Sequence, residues 1–197
     1  EACERKGLHA ASVLATLEAM EAVGPVAGNE PDPAQMTLTA LCDHIETTHH
    51  DYLKNELPRL DFMTRKVAGR HGERWPWLIE LAHVYQAFQE ELMAHMMKEE
   101  RVLFPAIRDL EAGRQTKSPC GGHLGAPIVM MEHEHDNAGR ALERMHELTG
   151  GYTPPEEACN TFRAMLDALD ELERDMHQHV HKENNILFPR ALERFGH

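Results

Sequence analysis

Two segments of this chain each place a histidine four residues before a glutamate. HMMKEERVLFP begins at His95 and contains Glu99, and HVHKENNILFP begins at His179 and contains Glu183. Residues i and i+4 of a helix point to the same side, about 5–6 Å apart at Cβ. Each pair therefore offers an imidazole and a carboxylate to a single ion, and both groups are common metal ligands. The repetition predicts a metal site assembled from two copies of one pattern.

Both pairs lie on the apolar side of their predicted helices. Apolar positions recur in alternating steps of three and four and continue through the first pair, at Leu78, Leu81, Tyr85, Phe88, Leu92, His95, Glu99 and Val102. The second pair has the same surroundings, at Phe162, Leu166, Leu169, Leu172, Met176, His179 and Glu183. This spacing is typical of the buried side of a helix. Because a buried carboxylate is costly unless it is neutralised, paired or bound to a cation, we expect a cation in this core.

The repeat includes one further histidine in each half. His50, in HHD, precedes His95 by 45 positions, and His135, in EHD, precedes His179 by 44. We therefore expect two similar helical hairpins related by a pseudo-twofold axis. The predicted ligands are His50, His95, Glu99, His135, His179 and Glu183. Such a set suits two ions about 3.5–4 Å apart with bridging carboxylates, and nitrogen and oxygen ligands without thiolate suit iron, manganese or zinc.

Two adjacent histidines compete for the ligand position in the first helix. The apolar positions before them predict a stripe that reaches His49, whereas those after them predict a stripe that reaches His50. These positions are Leu38, Leu41 and Ile45 before the pair, and Leu53, Leu57 and Leu60 after it. Periodicity alone leaves the two tied, and the repeated His-Asp pair favours His50. The histidines expected at the surface or in supporting positions are His44, His133, His177 and His181.

Segments rich in proline and glycine divide the remaining sequence into helices. Loops are predicted at VGPVAGNEPDP, GRQTKSPCGGHLGAP and TGGYTPP. The predicted long helices run from about Pro33 to Gly69, Trp75 to Glu111, Pro127 to Thr149 and Pro155 to Phe195, with a kink at Pro58. They predict an all-α antiparallel four-helix bundle over residues 34–197. A short extra helix in residues 1–23, without an initiator methionine, is expected to be the remnant of an N-terminal segment.

Composition disfavours several other classes of protein. The 197 residues include 20 Lys and Arg against 33 Asp and Glu, and the formal net charge of −13 opposes binding to nucleic acid or anionic membranes. No apolar run approaches the roughly 20 residues that span a bilayer, and no signal peptide is evident, which predicts a cytoplasmic protein. Four dispersed cysteines without a C-x-x-C pair predict reduced thiols rather than a zinc or disulfide framework, at Cys3, Cys42, Cys120 and Cys159.

The segments HMMKEERVLFP, MMEHEHDNAG and HVHKENNILFPRAL resemble the iron-sulfur cluster repair di-iron proteins (the RIC family), which have a hemerythrin-like four-helix bundle. The resemblance covers about residues 34–197. It implies two non-haem iron ions bridged by carboxylates and by an oxo or hydroxo group, and the positions that match the family's ligands are the same six residues. It also implies a small domain with adjacent cysteines before the bundle, and the chain begins where that domain would end.

The surroundings of His135 differ from those in the oxygen-carrying hemerythrins. Those proteins have a second histidine four residues from the first, whereas this chain has Met131 and Gly139, and their last carboxylate is an aspartate. One nitrogen ligand fewer leaves metal positions open to added ligands. The resemblance then implies reaction with nitric oxide, including reduction to nitrous oxide, and iron donation to damaged iron-sulfur proteins with an electron donor. Glu132 and Glu134, beside His135, are candidate proton carriers.

Two other functions remain open from the sequence. One is a hemerythrin-like module that binds or senses dioxygen, nitric oxide or iron. The other is a ferritin-type oxidase, with Glu46 and His49, and Glu132 and His135, as its two E-x-x-H pairs. The oxidase scheme would use the two repeated glutamates as further carboxylates, but it gives no role to the two repeated histidines.

Overall fold

A computed structural model describes residues 32–116 and 123–195, and all regular structure in these ranges is helical. Four long helices follow a short 3₁₀ turn at Pro33–Gln35. They are α1 (Leu38–Ile45, π-helical Glu46–His50 and Asp51–His71), α2 (Trp77–Lys98, π-helical Glu99–Leu103 and Phe104–Glu111), α3 (Gly125–Thr149) and α4 (Asn160–Lys182, π-helical Glu183–Leu187 and Phe188–Phe195). The predicted all-α bundle is confirmed. The predicted helix in residues 1–23, together with Cys3 and Cys120, lies outside the described residues.

The first backbone amides of α1 are satisfied by side chains from two elements. The Thr37 hydroxyl accepts a hydrogen bond from the Ala40 amide at 3.1 Å. The Glu111 carboxylate, at the end of α2, accepts from the amides of Leu38 at 3.1 Å and Thr39 at 2.7 Å. The amides at a helix start have no partner within the helix. Glu111 therefore stabilises the start of α1 and joins it to the end of α2.

The polar residues of the predicted site lie between two apolar clusters. α1 packs against α2 and α4, α2 packs against α3, and α3 also contacts α4. One cluster contains the later part of α1 and the earlier parts of α2 and α4, and the other contains the opposite ends of these helices. Asp61, Thr64 and Thr149 are buried elsewhere, but the buried histidines and glutamates of all four helices fall at the junction of the two clusters along the chain. The fold thus places them in one layer of the core.

A π-helical turn lies at this layer in α1, α2 and α4. In α1 the buried Ile45 and His50 are five residues apart, whereas Met131 and His135 are four apart in the uninterrupted α3. The π turn accommodates the extra residue and shifts the buried side of the helix by one position. In α2 the same shift buries Leu103, whereas the predicted Val102 is only half-buried.

Helix boundaries agree with the prediction to within about two residues except at the starts of α1 and α4, each of which lies five residues later than predicted. The chain from Pro155 to Cys159 forms a turn instead of helix, and the Ala158 amide donates to the Pro155 carbonyl at 3.0 Å. The Arg163 guanidinium holds this turn through the carbonyls of Pro155, Glu156 and Ala158. Pro58 lies within α1, which continues on both sides of it.

The two cysteines within the described ranges are free thiols, as the sequence predicted. Cys42 is buried in α1 and Cys159 is exposed before α4. None of the described helices is long and apolar enough to cross a membrane.

Candidate metal centre

The six predicted ligands lie together in the polar layer of the bundle. Their exposed fractions are 0% for His50, Glu99, His179 and Glu183, 3% for His95 and 5% for His135. They form two groups that could each hold a metal ion, with ligand atoms within 4.8 Å of one another: His50, Glu99, His179 and Glu183, and His95, Glu99, His135 and Glu183. Both glutamates belong to both groups. The arrangement is that of two adjacent ion positions with shared carboxylates.

Each shared glutamate directs one oxygen toward each group. Oε2 of Glu99 lies 3.4 Å from Nε2 of His50, and its Oε1 lies 3.2 Å from Nε2 of His95. Glu183 repeats this arrangement with the two remaining histidines, at 3.1 Å in both cases. A carboxylate whose two oxygens face different ion positions is suited to bridge two ions.

The hydrogen bonding of these carboxylates provides a test of whether a cation fits. Both oxygens of Glu99 and Oε2 of Glu183 are buried and find no hydrogen-bond donor among the described residues. Buried carboxylate oxygens normally have hydrogen bonds or coordinate a metal. The inward-facing nitrogens are also close, since Nε2 of His50 lies 3.2 Å from Nε2 of His179. These features fit a pair of cations held by nitrogen and oxygen ligands.

Residues adjacent to the shared glutamates orient two of the imidazoles. Nδ1 of His50 donates to Glu100 at 2.8 Å, and Nδ1 of His135 donates to Asn184 at the same distance. A hydrogen bond at Nδ1 leaves the Nε2 lone pair of the ring for a metal ion. Neither Glu100 nor Asn184 is among the site residues that the sequence predicted. The available signal was their position directly after the two repeated glutamates.

A third imidazole is oriented at the edge of a cavity. Nδ1 of His95 donates to Glu134 at 2.9 Å, and Lys98 forms an ion pair with the same carboxylate. The cavity has a volume of about 190 Å³, and its lining includes Glu91, Ala138 and the ring of His135. It therefore lies between the surface and the His95 side of the candidate centre.

The charges of the layer raise the pKa values of His50, His95 and His135 and so favour protons on these three rings when no cation is bound. Burial lowers the pKa of His95, but the charge of Glu99 outweighs this effect and raises the pKa to about 9. Burial opposes ionisation of Glu183, but the charges of His179 and His135 and the hydrogen bond from His179 outweigh burial, so the pKa of Glu183 is well below its usual value. A bound cation would take the place of these protons.

His49 is also buried, but it lies beside the two groups and belongs to neither. Its ring stacks on that of His179, and burial lowers its pKa. This placement favours His50 over His49 as the ligand in α1, because His50 faces the shared glutamates.

The other candidate residues lie away from this layer of ligands. Glu46 pairs with Arg108 at 3.0 Å, and Glu132 and His133 are exposed. His177 lies 3.5 Å from Glu173. The ferritin-type arrangement therefore lacks two of its carboxylates at the buried layer. Of the two candidate proton carriers, only Glu134 contacts one of the six residues in the structure, and the role of Glu132 stays a prediction.

One family model matches most of the chain. The model of the hemerythrin HHE cation binding domain matches residues 42–191, a range that contains all six residues. The chain belongs to the hemerythrin HHE family. The family's name describes a cation-binding domain, and in this chain the two groups formed by the six side chains are where a cation could be held.

The HHE match is accompanied by close relatives. The chain is 42% identical over 161 residues to the iron-sulfur cluster repair protein YtfE of Pectobacterium atrosepticum. The aligned region covers 82% of this chain and 69% of that protein. It is 41% identical over 180 residues to the protein of the same name from Yersinia pseudotuberculosis, covering 89% and 77% respectively. The resemblance to the iron-sulfur cluster repair proteins is confirmed.

Proposed function

We propose that this HHE protein is a non-haem di-iron protein that supports the repair of iron-sulfur clusters under nitrosative or oxidative stress. The observation that carries the proposal is the pair of groups that share Glu99 and Glu183, since this arrangement is suited to two ions rather than one. Ligands without thiolate suit iron. The names of the relatives from Pectobacterium and Yersinia support iron-sulfur proteins as its targets.

In this proposal His50 and His179 would bind one ion, and His95 and His135 would bind the other. Both glutamates would bind both ions. Two ferrous ions at these positions would supply two electrons and coordination positions for a small ligand. The chain itself orients the imidazoles through Glu100, Glu134 and Asn184. Glu134, hydrogen bonded to His95 at the edge of the cavity, is placed to accept or return a proton.

A repair assay tests the proposal directly. The iron-loaded protein is added to an enzyme whose [4Fe–4S] cluster has been damaged by nitric oxide, with a chemical reductant as electron donor. We expect the enzyme's activity to recover with the wild-type protein and not with Glu183→Ala, which removes a carboxylate from both groups. Equal recovery with an equivalent amount of free ferrous iron would contradict a role for the protein.

The surroundings of His135 lead to a prediction about nitric oxide. Met131 is buried one turn before His135, so no imidazole from that position reaches the layer, and Gly139 lies exposed one turn after it. We expect the anaerobic, reduced protein to consume two molecules of nitric oxide with two electrons and two protons. The products would be nitrous oxide and water, with at most about one nitrous oxide per di-iron site without added reductant. Gas chromatography of the headspace measures this yield.

Met131→His provides the matched variant for this measurement. An added imidazole at that position would occupy an open metal position, so nitrous oxide should fall while iron content is unchanged. If the wild-type protein binds nitric oxide but releases no nitrous oxide, the reductase activity is refuted, and a binding or sensing role replaces it.

A further inference from the structure

The internal repeat places two comparable clusters of side chains beside the candidate centre. Three positions correspond between the two halves: the lysine before each shared glutamate, the residue before the histidine of α1 or α3, and the acidic residue four before the repeated histidine. They are Lys98, Glu134 and Glu91 in one cluster, and Lys182, His49 and Asp175 in the other. The second cluster takes no part in the proposed metal binding.

The first cluster surrounds an opening. Glu134 and Lys98 form an ion pair, and both line the cavity, as do His95 and His135. The Glu134 side chain is 23% exposed and that of Lys98 is 45% exposed. This cavity therefore adjoins the candidate centre on the His95 side.

The second cluster is filled by His49. Nδ1 of His49 donates to Asp175 at 2.8 Å, and its Nε2 accepts from the Lys182 ammonium, also at 2.8 Å. The same ammonium donates to Nε2 of His44 at 2.8 Å. The ring of His49 stacks on that of His179, with centroids 5.3 Å apart and an interplanar angle of 9°. Three neighbours thus fix the imidazole in one position.

The side chains of the second cluster are more buried than their counterparts in the first, as expected if His49 fills the second cluster. The His49 side chain is 1% exposed, compared with 23% for Glu134 at the corresponding position. Asp175 is 19% exposed and half-buried, whereas Glu91 is exposed. In addition, Nδ1 of His179 finds no hydrogen-bond partner within the described ranges, whereas Nδ1 of His95 donates to Glu134. The position that orients an imidazole in one half is used to cover an imidazole in the other.

We infer that His49 closes the repeat-related counterpart of the cavity, so that small ligands and solvent reach the candidate centre from the His95 side only. The inference rests on the proposed metal centre for its meaning, since it concerns access to those ions. Lys182 and Asp175 act as positioning residues that hold the closing imidazole against His179. The two halves of the repeat therefore offer two approaches to the candidate centre. The approach beside His95 stays open at Glu134, whereas the approach beside His179 is closed because His49 occupies the position that corresponds to Glu134.

A crossed pair of substitutions tests this one-sided access. Azide binding to the metal-loaded protein is followed by stopped-flow absorbance after Ala138→Phe has narrowed the open cavity. We expect Ala138→Phe to slow binding about tenfold in the wild-type background and to have little effect in the His49→Ala background, because a second approach is then open. His44→Ala is the matched control, since it removes the other imidazole on Lys182 without uncovering His179. Binding should stay slow in His44→Ala with Ala138→Phe.

Two outcomes would overturn the inference. One is equal slowing by Ala138→Phe with and without His49. The other is an unchanged wild-type rate, because ligands would then already enter elsewhere. If Ala138→Phe does not fold, Ala94→Phe at the exposed rim of the same cavity replaces it.

A measurement on metal-free protein separates this inference from the proposed metal centre. In His49→Gly the closing ring is removed, and free imidazole should enter the space and raise the melting temperature, whereas the wild-type protein should not respond. Equilibrium dialysis should find about one imidazole per chain of the variant. No uptake by His49→Gly would refute closure by His49 whatever the metal content of the loaded protein, and absence of metal alone would refute only the proposed function.

Discussion

Each glutamate of the candidate centre lies beside a histidine of both groups, and three of the four carboxylate oxygens have no hydrogen-bond donor among the described residues. Removing one histidine therefore leaves negative charge in the core that is less well compensated. The effect should differ between residues that face the shared glutamates and residues that only lie nearby.

We predict that His95→Ala and His179→Ala each weaken iron binding by at least about tenfold, because each removes an imidazole that faces a shared carboxylate. Iron per chain after desalting, measured by plasma emission spectrometry, is the readout. Glu46→Ala is the control, since Glu46 pairs with Arg108 outside the layer. Loss of iron in Glu46→Ala with retention in His179→Ala would favour the ferritin-type arrangement.

The same measurement compares the two adjacent histidines of α1. His50→Ala should empty the site, since Nε2 of His50 lies 3.4 Å from Glu99. His49→Ala should retain iron, because the His49 ring covers His179 without facing either glutamate.

Spacing in the sequence was sufficient to predict which six side chains meet. Helical periodicity places residues four apart on one side, and the repeat relates the two halves without any knowledge of the loops. The partners of the imidazoles were harder to predict. Glu100 and Asn184 reach histidines on other helices, and such contacts depend on how the helices cross.

At the scale of the elements, the π turns explain why periodicity left His49 and His50 tied. The stripe before the turn and the stripe after it belong to different sides of an ideal helix, and the turn rotates one into the other. Prediction from periodicity assumes a constant period of 3.6 residues. One inserted residue therefore makes two adjacent positions, here His49 and His50, fit the pattern equally well. The π turn in α2 likewise explains why Leu103, and not the predicted Val102, is buried in the core.

The contact between Glu111 and the start of α1 leads to a prediction about pH. Burial opposes ionisation of Glu111, but hydrogen bonds from Thr39 and Leu38 outweigh it and lower its pKa. A carboxyl with a lowered folded-state pKa stabilises the fold above its unfolded pKa and loses that contribution as pH falls through the folded value. Glu111→Gln should therefore reduce the free energy of unfolding by about 1 kcal/mol at pH 7.

Urea denaturation of wild type and Glu111→Gln across the acidic range measures this difference. It should shrink as pH falls through the lowered pKa, because the wild-type carboxyl then becomes neutral. Glu143→Gln, at an exposed position of α3, is the matched control and should change stability little at any pH. A pH-independent difference for Glu111→Gln would indicate that the charge is not responsible.

At the scale of the whole molecule, neither hairpin contains a complete ion position. One group takes a histidine from α1 and one from α4, and the other takes a histidine from α2 and one from α3. Ions at these positions would connect the two halves of the bundle. Their binding energy would then contribute to folding.

Removal of metal should accordingly lower the melting temperature. We expect a decrease on chelation of the wild-type protein, followed by calorimetry, because a ligand that binds only the folded state stabilises it. Glu183→Ala, which lacks a carboxylate of both groups, should melt at the same temperature with and without chelator. A wild-type melting temperature that does not respond to chelation would argue against metal as a link between the hairpins.

The central claim is that six residues of one chain hold two iron ions that share Glu99 and Glu183. Mössbauer spectroscopy of protein purified without oxygen, combined with its iron content, tests this claim most directly. After oxidation we predict about two irons per chain and a spectrum of two antiferromagnetically coupled ferric ions, because bridging carboxylates connect them. One mononuclear iron or zinc per chain, or two uncoupled irons, would contradict the account.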